Sequence, residues 1–588
     1  MTTDQNYQQI YRVGGMLDAG FVGQITYTIS LDQVYDELDI HFSFDKRLYS
    51  ESDVTPELID RLQTLCTAKY DAPTYPVEEF RQTILHEMKT EIHTMAELND
   101  NFIGCIHRQL TDRHMLYTKE FTSDGCLAQD TFSGVLKVTV LVFNVLLDNT
   151  QYTLTVSGHP VGQGVIAPNF NLMDTVKTAA GNAGASNAAG SADNSCDAKS
   201  APASAVATAG SSGVSGAGSA ATAGDSSTTG SSSAGNTVTA STRFKRLELH
   251  NHTVESDGSL TCQELTEYLA ADHVDAFAIT DHNTTSGQKK IEQLLEEKHY
   301  PISLIRGMEY TTYFGHILCL NLAKYVPWNS IDQHRPELLF EAAREKGALV
   351  GIAHPFSYGD PFARGCRFEM TVSDYSKVDF IEIFNNPEPL HEVNERGTNL
   401  WMSLIFSGYQ ITATSGMDLH NRAKLAGCYA TYIEGKSGGN IASELDTAIH
   451  THRTWVSKGA LLLTEVLPET NELLLTFTDA HKPGFAVPKT AQAVLKGKDK
   501  TFTTSVSLDK PVRISLNQLS GTDPIIPLLY EAPGINGAAT VSNAAHVAAS
   551  TSCGSAADAS SAAGQLKEID ALPAIEGLLC VSPVLYRD

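Results

Sequence analysis

His250 and His252 stand two residues apart, and Asp257, His282, Glu309, His316, His354, Asp418 and His420 follow them along the chain. Six imidazoles and three carboxylates form a donor set that suits Zn²⁺, Mn²⁺ or Fe²⁺. No thiolate stands among them, which argues against a structural zinc. Carboxylates gathered in one pocket repel one another unless a cation binds them. Residues two apart on an extended strand point to the same side, so His250 and His252 can grip one ion, as can Asp418 and His420. Glu309, with two oxygens, is the natural bridge between two ions.

Short apolar runs must carry these residues. RLELH ends in His250, DAFAIT runs into Asp281 and His282, ISLIRGM into Glu309, ALVGIA into His354 and QITATSGM into Asp418. His316 heads a further run, HILCLNL. Helical patterns lie between the runs: one opens at Thr261 with Glu264 three residues on, a capping-box pattern. QKKIEQLLEE, PELLFEAAREKG, NLWMSLIFSG and IASELDTAIH supply the others. Such alternation predicts an α/β fold with a parallel sheet, and the number of units a TIM-like barrel over residues 242–460. Strand C-termini form the catalytic face of such barrels, so ligands far apart in sequence can converge there. Asp281 can orient His282 from behind, or cap a helix. Arg364 and Arg367 in FARGCRF either clamp a phosphate or stand as solvated loop charges, and Asn385 and Asn386, ending FIEIF, either donate to a substrate or only stop the strand and begin a turn. Tyr310 and Tyr313 suit either base stacking or core packing.

The rest of the chain bounds the reading. It has 588 residues, 42% of them hydrophobic, and a formal charge of −26, which is wrong for a protein that wraps long nucleic acid. Ten cysteines form no CxxC pair, which removes zinc-ribbon and redox-motif readings. The polar start MTTDQNYQQIYRVGG lacks a signal-peptide pattern, and the longest apolar stretch, VTVLVFNVLL, is too short to span a bilayer. A cytoplasmic protein with no membrane partner is expected. Residues 1–177 read as a β-rich accessory domain with one helix through VEEFRQTILHEMKTEIHTM. In residues 178–241, 51 of 64 are Gly, Ala, Ser or Thr, which predicts a disordered linker. Residues 461–588 read as a second β-rich module with a disordered insert near 537–564.

HNHTVESDG, AITDHNTT, RGMEYTTYFGHILCL, AHP and SGMDLH together resemble the PHP (polymerase and histidinol phosphatase) superfamily of metallohydrolases. The CehA/McbA-like branch is the most similar, with relatives among nucleotide-hydrolysing PHP phosphoesterases. The resemblance implies a distorted (β/α)7 barrel holding two or three divalent ions. His250, His252, Glu309 and Asp418 would hold one; Asp257, His282 and Glu309 a second; His316, His354 and His420 a third. Asp257 stands where some members have His, which favours Mn²⁺ or Fe²⁺ at the second site. Asp418 and Glu309, with Asp281 behind the ligands, would form the catalytic set, and Arg364, Arg367 and Asn385 would meet the substrate.

The expected activity is hydrolysis of a small phosphorylated compound, a nucleotide or short oligonucleotide among the options. A carboxylic or carbamate ester hydrolase of the CehA type is the alternative, since the same ions serve both. An inactive binding scaffold is the third reading, and the presence of all nine ligand-type residues speaks against it. Sequence does not fix the oligomeric state.

Overall fold

The computed structural model describes residues 7–70, 76–146, 148–161, 242–385, 392–482, 486–532, 566–569 and 574–586. All of them belong to one compact unit. The expected linker and the expected insert near 537–564 lie outside the described residues, as does Asn386.

Alternating apolar residues build a seven-stranded N-terminal sheet: β1 (Gln8–Leu17), β2 (Gly23–Phe44), β3 (Glu91–Leu98), β4 (Asn101–Ile106), β5 (Asp112–Tyr117), β6 (Phe132–Asn144) and β7 (Thr150–Pro160). The order is β1-β7-β2-β6-β3-β4, with β5 added to β2. Two helices, α1 (Pro56–Tyr70) and α2 (Val77–His86), lie between β2 and β3. The helix expected through VEEFRQTILHEMKTEIHTM therefore stops at His86, and its second half becomes β3. Phe80, Ile84 and Met88 pack in a helix core, but Ile92 packs in the sheet core. Ladders to β4 and β6 on both edges outweigh the local four-residue periodicity.

Successive strand residues face opposite ways. Leu136, Val138, Val140 and Val142 of β6 fill the sheet's own core, while Leu141 and Phe143 point to the other side. There, with Met95 and Cys105, they join Met308, Tyr310, Ile317 and Trp328 in a single apolar cluster. The N-terminal sheet and the following α/β region thus share a core.

That α/β region comprises β8 (Thr242–Glu248), β9 (Ala276–Ile279), β10 (Ser303–Thr312), β11 (Gly315–Leu320), β12 (Leu349–Ile352), β13 (Phe380–Asn385), β14 (Thr412–Gly416), β15 (Ala430–Lys436) and β16 (Thr454–Ser457). Helices α3 (Cys262–Ala271), α4 (Ser286–Lys298), α5 (Glu337–Glu345), α6 (Glu392–Phe406) and α7 (Ile441–His450) alternate with them. Thr261 and Glu264 form the expected capping box on α3. The sheet differs from a closed parallel barrel. β8-β9-β10 and β12-β13-β14 are parallel, but the tight β10–β11 hairpin inserts an antiparallel strand between the two sets. Among the described residues no backbone ladder joins β14 back to β8 or β15. A side chain and one isolated backbone bridge span that gap: Ser415 N donates to Thr431 Oγ1 (2.8 Å), which donates back to Ser415 O (2.9 Å), and Asn251 pairs with Leu419 beyond the strand ends.

The C-terminal strands extend this same sheet. From β16 it continues through β24 (Leu578–Val581), β22 (Ile526–Glu531), β19 (Thr490–Lys496), β20 (Thr501–Ser507) and β23 (Lys567–Ile569). A separate three-stranded sheet holds β17 (Ala460–Leu467), β18 (Glu472–Asp479) and β21 (Val512–Ser515). No helix among the described residues is long and apolar enough to cross a membrane.

Candidate metal centre

The parallel strands deliver the ligand-type residues to one end of the sheet. His250 lies two residues beyond β8, His282 three beyond β9, His354 two beyond β12 and Asp418 two beyond β14, while Glu309 and His316 sit within β10 and β11. Short parallel bridges, Asn251 to Leu419 and His282 to Glu309, hold neighbouring strand ends in register. His354 and Asp418 have φ values of 24° and 49°. Left-handed backbone costs a non-glycine residue about 1–3 kcal/mol, so the surroundings must over-determine these two positions.

Glu309 is at the centre and fully buried. Its Oε1 lies 2.8 Å from His316 Nδ1 and 3.0 Å from His354 Nε2. Its Oε2 lies 2.9 Å from His282 Nδ1, 3.1 Å from His250 Nε2 and 3.3 Å from His252 Nε2. Asp418 Oδ1 is 3.0 Å from His252 Nε2, and Asp257 Oδ1 is 3.3 Å from His420 Nε2. Desolvation alone would raise the Glu309 carboxyl, but His250, His316 and His282 outweigh it and hold it well below the usual carboxylate range. Against the same burial, His250, His420 and His252 hold Asp418 down, and His282, His107 and His420 hold Asp257 down. Burial opposes charge on His420 too, yet Asp257 and Asp418 push it up to about 10. All three carboxylates are therefore ionised and available as ligands.

Three overlapping groups have ligating atoms within 4.8 Å of one another: His250, His252, Glu309 and Asp418; His252, Asp257, His282 and His420; and His282, Glu309 and His316. The first is the set the resemblance implies. The others differ from it, because His420 turns toward Asp257 and away from His316 and His354. Eight buried polar atoms of these residues make no hydrogen bond: His250 Nε2, both His252 nitrogens, Asp257 Oδ1, Glu309 Oε2, His316 Nε2, His354 Nδ1 and Asp418 Oδ1. A buried polar atom left unsatisfied costs about 1–3 kcal/mol. Ligand-type atoms left unpaired in each of the three groups are the pattern that divalent ions would satisfy, so the residues fit a multi-ion centre.

Glu382, which sequence reasoning passed over, supports the first ligand. It accepts from His250 Nδ1 (3.1 Å), from the His354 backbone N–H (3.0 Å) and from Asn385 Nδ2 (2.9 Å). An acidic residue inside the apolar run FIEIF was the available signal. Asn385, expected at the substrate, thus acts behind a ligand. Asp281 is turned away from His282: it accepts from Thr253 N (2.7 Å), Thr253 Oγ1 (2.8 Å) and Ser256 Oγ (2.7 Å), fixing the loop from His252 to Asp257. Arg367 lies over the Tyr70 and Phe356 rings, at 5.2 and 5.4 Å, and does not line the cavity. Arg364 does line it. Tyr310 is buried in the core, its hydroxyl accepting from Val326 N, and Tyr313 donates to Gly23 O of the N-terminal sheet.

Gly416 shows how tightly the centre is built. A Cβ there would come within 2.5 Å of His250 Cβ and 2.7 Å of Glu382 Oε1. Gly416→Ala is expected to displace that pair, costing about 1–3 kcal/mol of stability and lowering metal content. Thermal melting with metal analysis checks this; a variant that melts and loads as wild type refutes it.

Residues 7–160 match a family described as a family of unknown function (DUF6669). An uncharacterized protein of Methanocaldococcus jannaschii is 30% identical over 112 residues, 19% of this chain and 58% of that protein. A 5'-3' exoribonuclease of Haemophilus influenzae is 36% identical over 141 residues, 23% of this chain and 50% of that enzyme. The chain thus spans about half the length of these curated relatives. A solved two-domain protein of Bacteroides vulgatus, described as containing a predicted PHP-like metal-dependent phosphoesterase, aligns at 14% identity and a TM-score of 0.30, over 49% of this chain and 90% of that one.

Proposed function

We propose that this chain is a metal-dependent phosphoesterase acting at the end of a nucleotide or short oligonucleotide. The observation that carries the reading is the convergence of orphaned imidazole and carboxylate atoms around Glu309. The similarity to an enzyme named 5'-3' exoribonuclease supports the substrate class. Divalent ions held there would acidify water and neutralise charge on phosphoryl oxygens. The chain's own residues do the positioning. Glu382 fixes the ring of His250, and Asp281 fixes the loop that carries His252 and Asp257. Asp257 and Asp418 keep part of their side chains open to the cavity mouth, where a substrate enters.

The cavity is about 190 Å³, smaller than the roughly 300–1,000 Å³ usual for a ligand pocket. It takes a phosphoryl group and its nearest substituents and leaves the rest of the substrate outside. Arg364, 3.1 Å from Asp360, brings a guanidinium to its wall.

The test is hydrolysis of p-nitrophenyl phosphate and p-nitrophenyl acetate by Mn²⁺-reconstituted protein, with Asp418→Asn as control. Phosphate-ester turnover that the variant loses is expected, followed by activity on 5'-phosphorylated oligoribonucleotides. Turnover of the acetate alone would reject the proposal in favour of a carboxylic or carbamate ester hydrolase.

A further inference from the structure

The cavity wall does not come from the α/β region alone. Lys89, Glu91 and His107 of the N-terminal sheet line it together with Asp257, His282, His316, His354, Asp418 and His420. Strand alternation fits this: on β3, Ile92 and Ala96 face the sheet's own core, so Glu91, His93 and Met95 lie on the face turned toward the α/β region, with Glu91 at the cavity. His107, just past β4, stacks on His282 with ring centroids 4.1 Å apart and brings Nε2 to 3.4 Å from Asp257 Oδ2.

The contact is fixed by polar bonds as well as by the shared core. Gly125 N donates to Glu255 Oε2 (3.0 Å), and Thr284 Oγ1 donates to Gly125 O (2.9 Å). Gly125 has φ 79°, and a Cβ would come within 2.3 Å of Cys105 O and 2.9 Å of Glu255 O, so the two backbones meet with no room for a side chain.

Lys89 sits at the head of β3. Its backbone is bridged to Leu48, and its carbonyl accepts from Asn144 Nδ2 (3.0 Å). Glu91 is held by Gln109 Nε2 (3.3 Å) and lies 3.2 Å from His93 Nε2. No carboxylate among the described residues lies within ion-pair distance of the Lys89 ammonium, whereas Arg364 is paired with Asp360. A partly buried cation without a counter-ion, facing a cavity, suits a mobile anion. An ammonium on a flexible stem follows a phosphate oxygen as a point charge.

We propose that Lys89 forms an anion subsite of the active site, holding a phosphoryl oxygen of the substrate, so that the N-terminal sheet is a working part of the enzyme. The class of ligand rests on the phosphoesterase reading above; the subsite itself rests on the cavity.

The test is calorimetric titration of inorganic phosphate into Mn²⁺-loaded full-length protein, comparing wild type, Lys89→Met, Lys89→Arg and the exposed control Lys498→Met. Loss of one charge-assisted contact is expected to weaken phosphate binding about 10- to 100-fold in Lys89→Met. Lys89→Arg should recover part of it, Lys498→Met should match wild type, and manganese content should be equal in all four. Phosphate affinity in Lys89→Met within about twofold of wild type would overturn the subsite, as would a wild type that binds no phosphate. Loss of manganese in both Lys89 variants would overturn it too, by making the residue structural. A wild type that binds phosphate through Lys89 yet hydrolyses no phosphate ester would reject the phosphoesterase and leave the subsite standing.

Discussion

Glu309→Gln is expected to strip the centre of its ions and to lower kcat/KM for phosphate esters by about a thousandfold or more, the scale seen when one member of a group acting as a unit is removed. Both oxygens of Glu309 face imidazoles, His316 and His354 on one side and His250, His252 and His282 on the other. An amide keeps the shape but brings no charge, and it aims a donor at groups that are themselves donors when protonated. Metal analysis and melting, with and without a chelator, separate loss of ions from loss of fold. A ligand present at a thousand times its Kd stabilises by about 4 kcal/mol, so chelation should lower the Tm of wild type. Glu309→Gln should show no such response. A variant with full metal content and activity within tenfold of wild type would refute the central role of this residue.

Residues 242–460 produced alone are expected to fail to fold. Within that segment Met308, Tyr310, Ile317 and Trp328 share one apolar cluster with Met95, Cys105, Leu141 and Phe143, which the fragment lacks. Phe102 stacks on Tyr325 with centroids 3.9 Å apart, and β16 would lose its ladder to β24. Exposing a large apolar side chain costs about 1.5–3 kcal/mol, so uncovering four is comparable to the whole 5–15 kcal/mol by which domains are stable. Circular dichroism and gel filtration of the fragment decide it. A soluble, metal-loaded monomer with a cooperative melt would show that the N-terminal sheet is dispensable.

Most of the ligand residues were legible because His250, His282, Glu309, His354 and Asp418 each follow an apolar run, and strand ends are where sequence and site coincide. Glu382 was less so: an acid within FIEIF is indistinguishable, by pattern alone, from an ordinary strand residue. Arg367 and Asn385 carried the right chemistry at the right end of the sheet, but neighbours in three dimensions claimed both side chains, Tyr70 and Phe356 for one and Glu382 for the other. Lys89 and Glu91 were hidden by a period. Phe80, Ile84, Met88 and Ile92 share a helical spacing by coincidence, and only pairing with β4 and β6 turns Glu91–Leu98 into a strand. The expected all-parallel strand order failed for a similar reason. The two-residue turn at Tyr313 and Phe314 makes β11 run backwards, and alternation of strand and helix does not reveal direction.

The two-faced N-terminal sheet also has a cost in time. Its strands are complete once residue 160 has been made, yet the apolar partners of its second face begin only at Met308, about 150 residues later. At synthesis rates of about 5–20 residues per second, that face stays bare for about 7–30 s on every ribosome. Throughout that interval Met95, Leu141 and Phe143 are adhesive surface on each nascent chain. Slower expression and available chaperones should therefore raise the yield of active protein more than any stabilising change within the finished core.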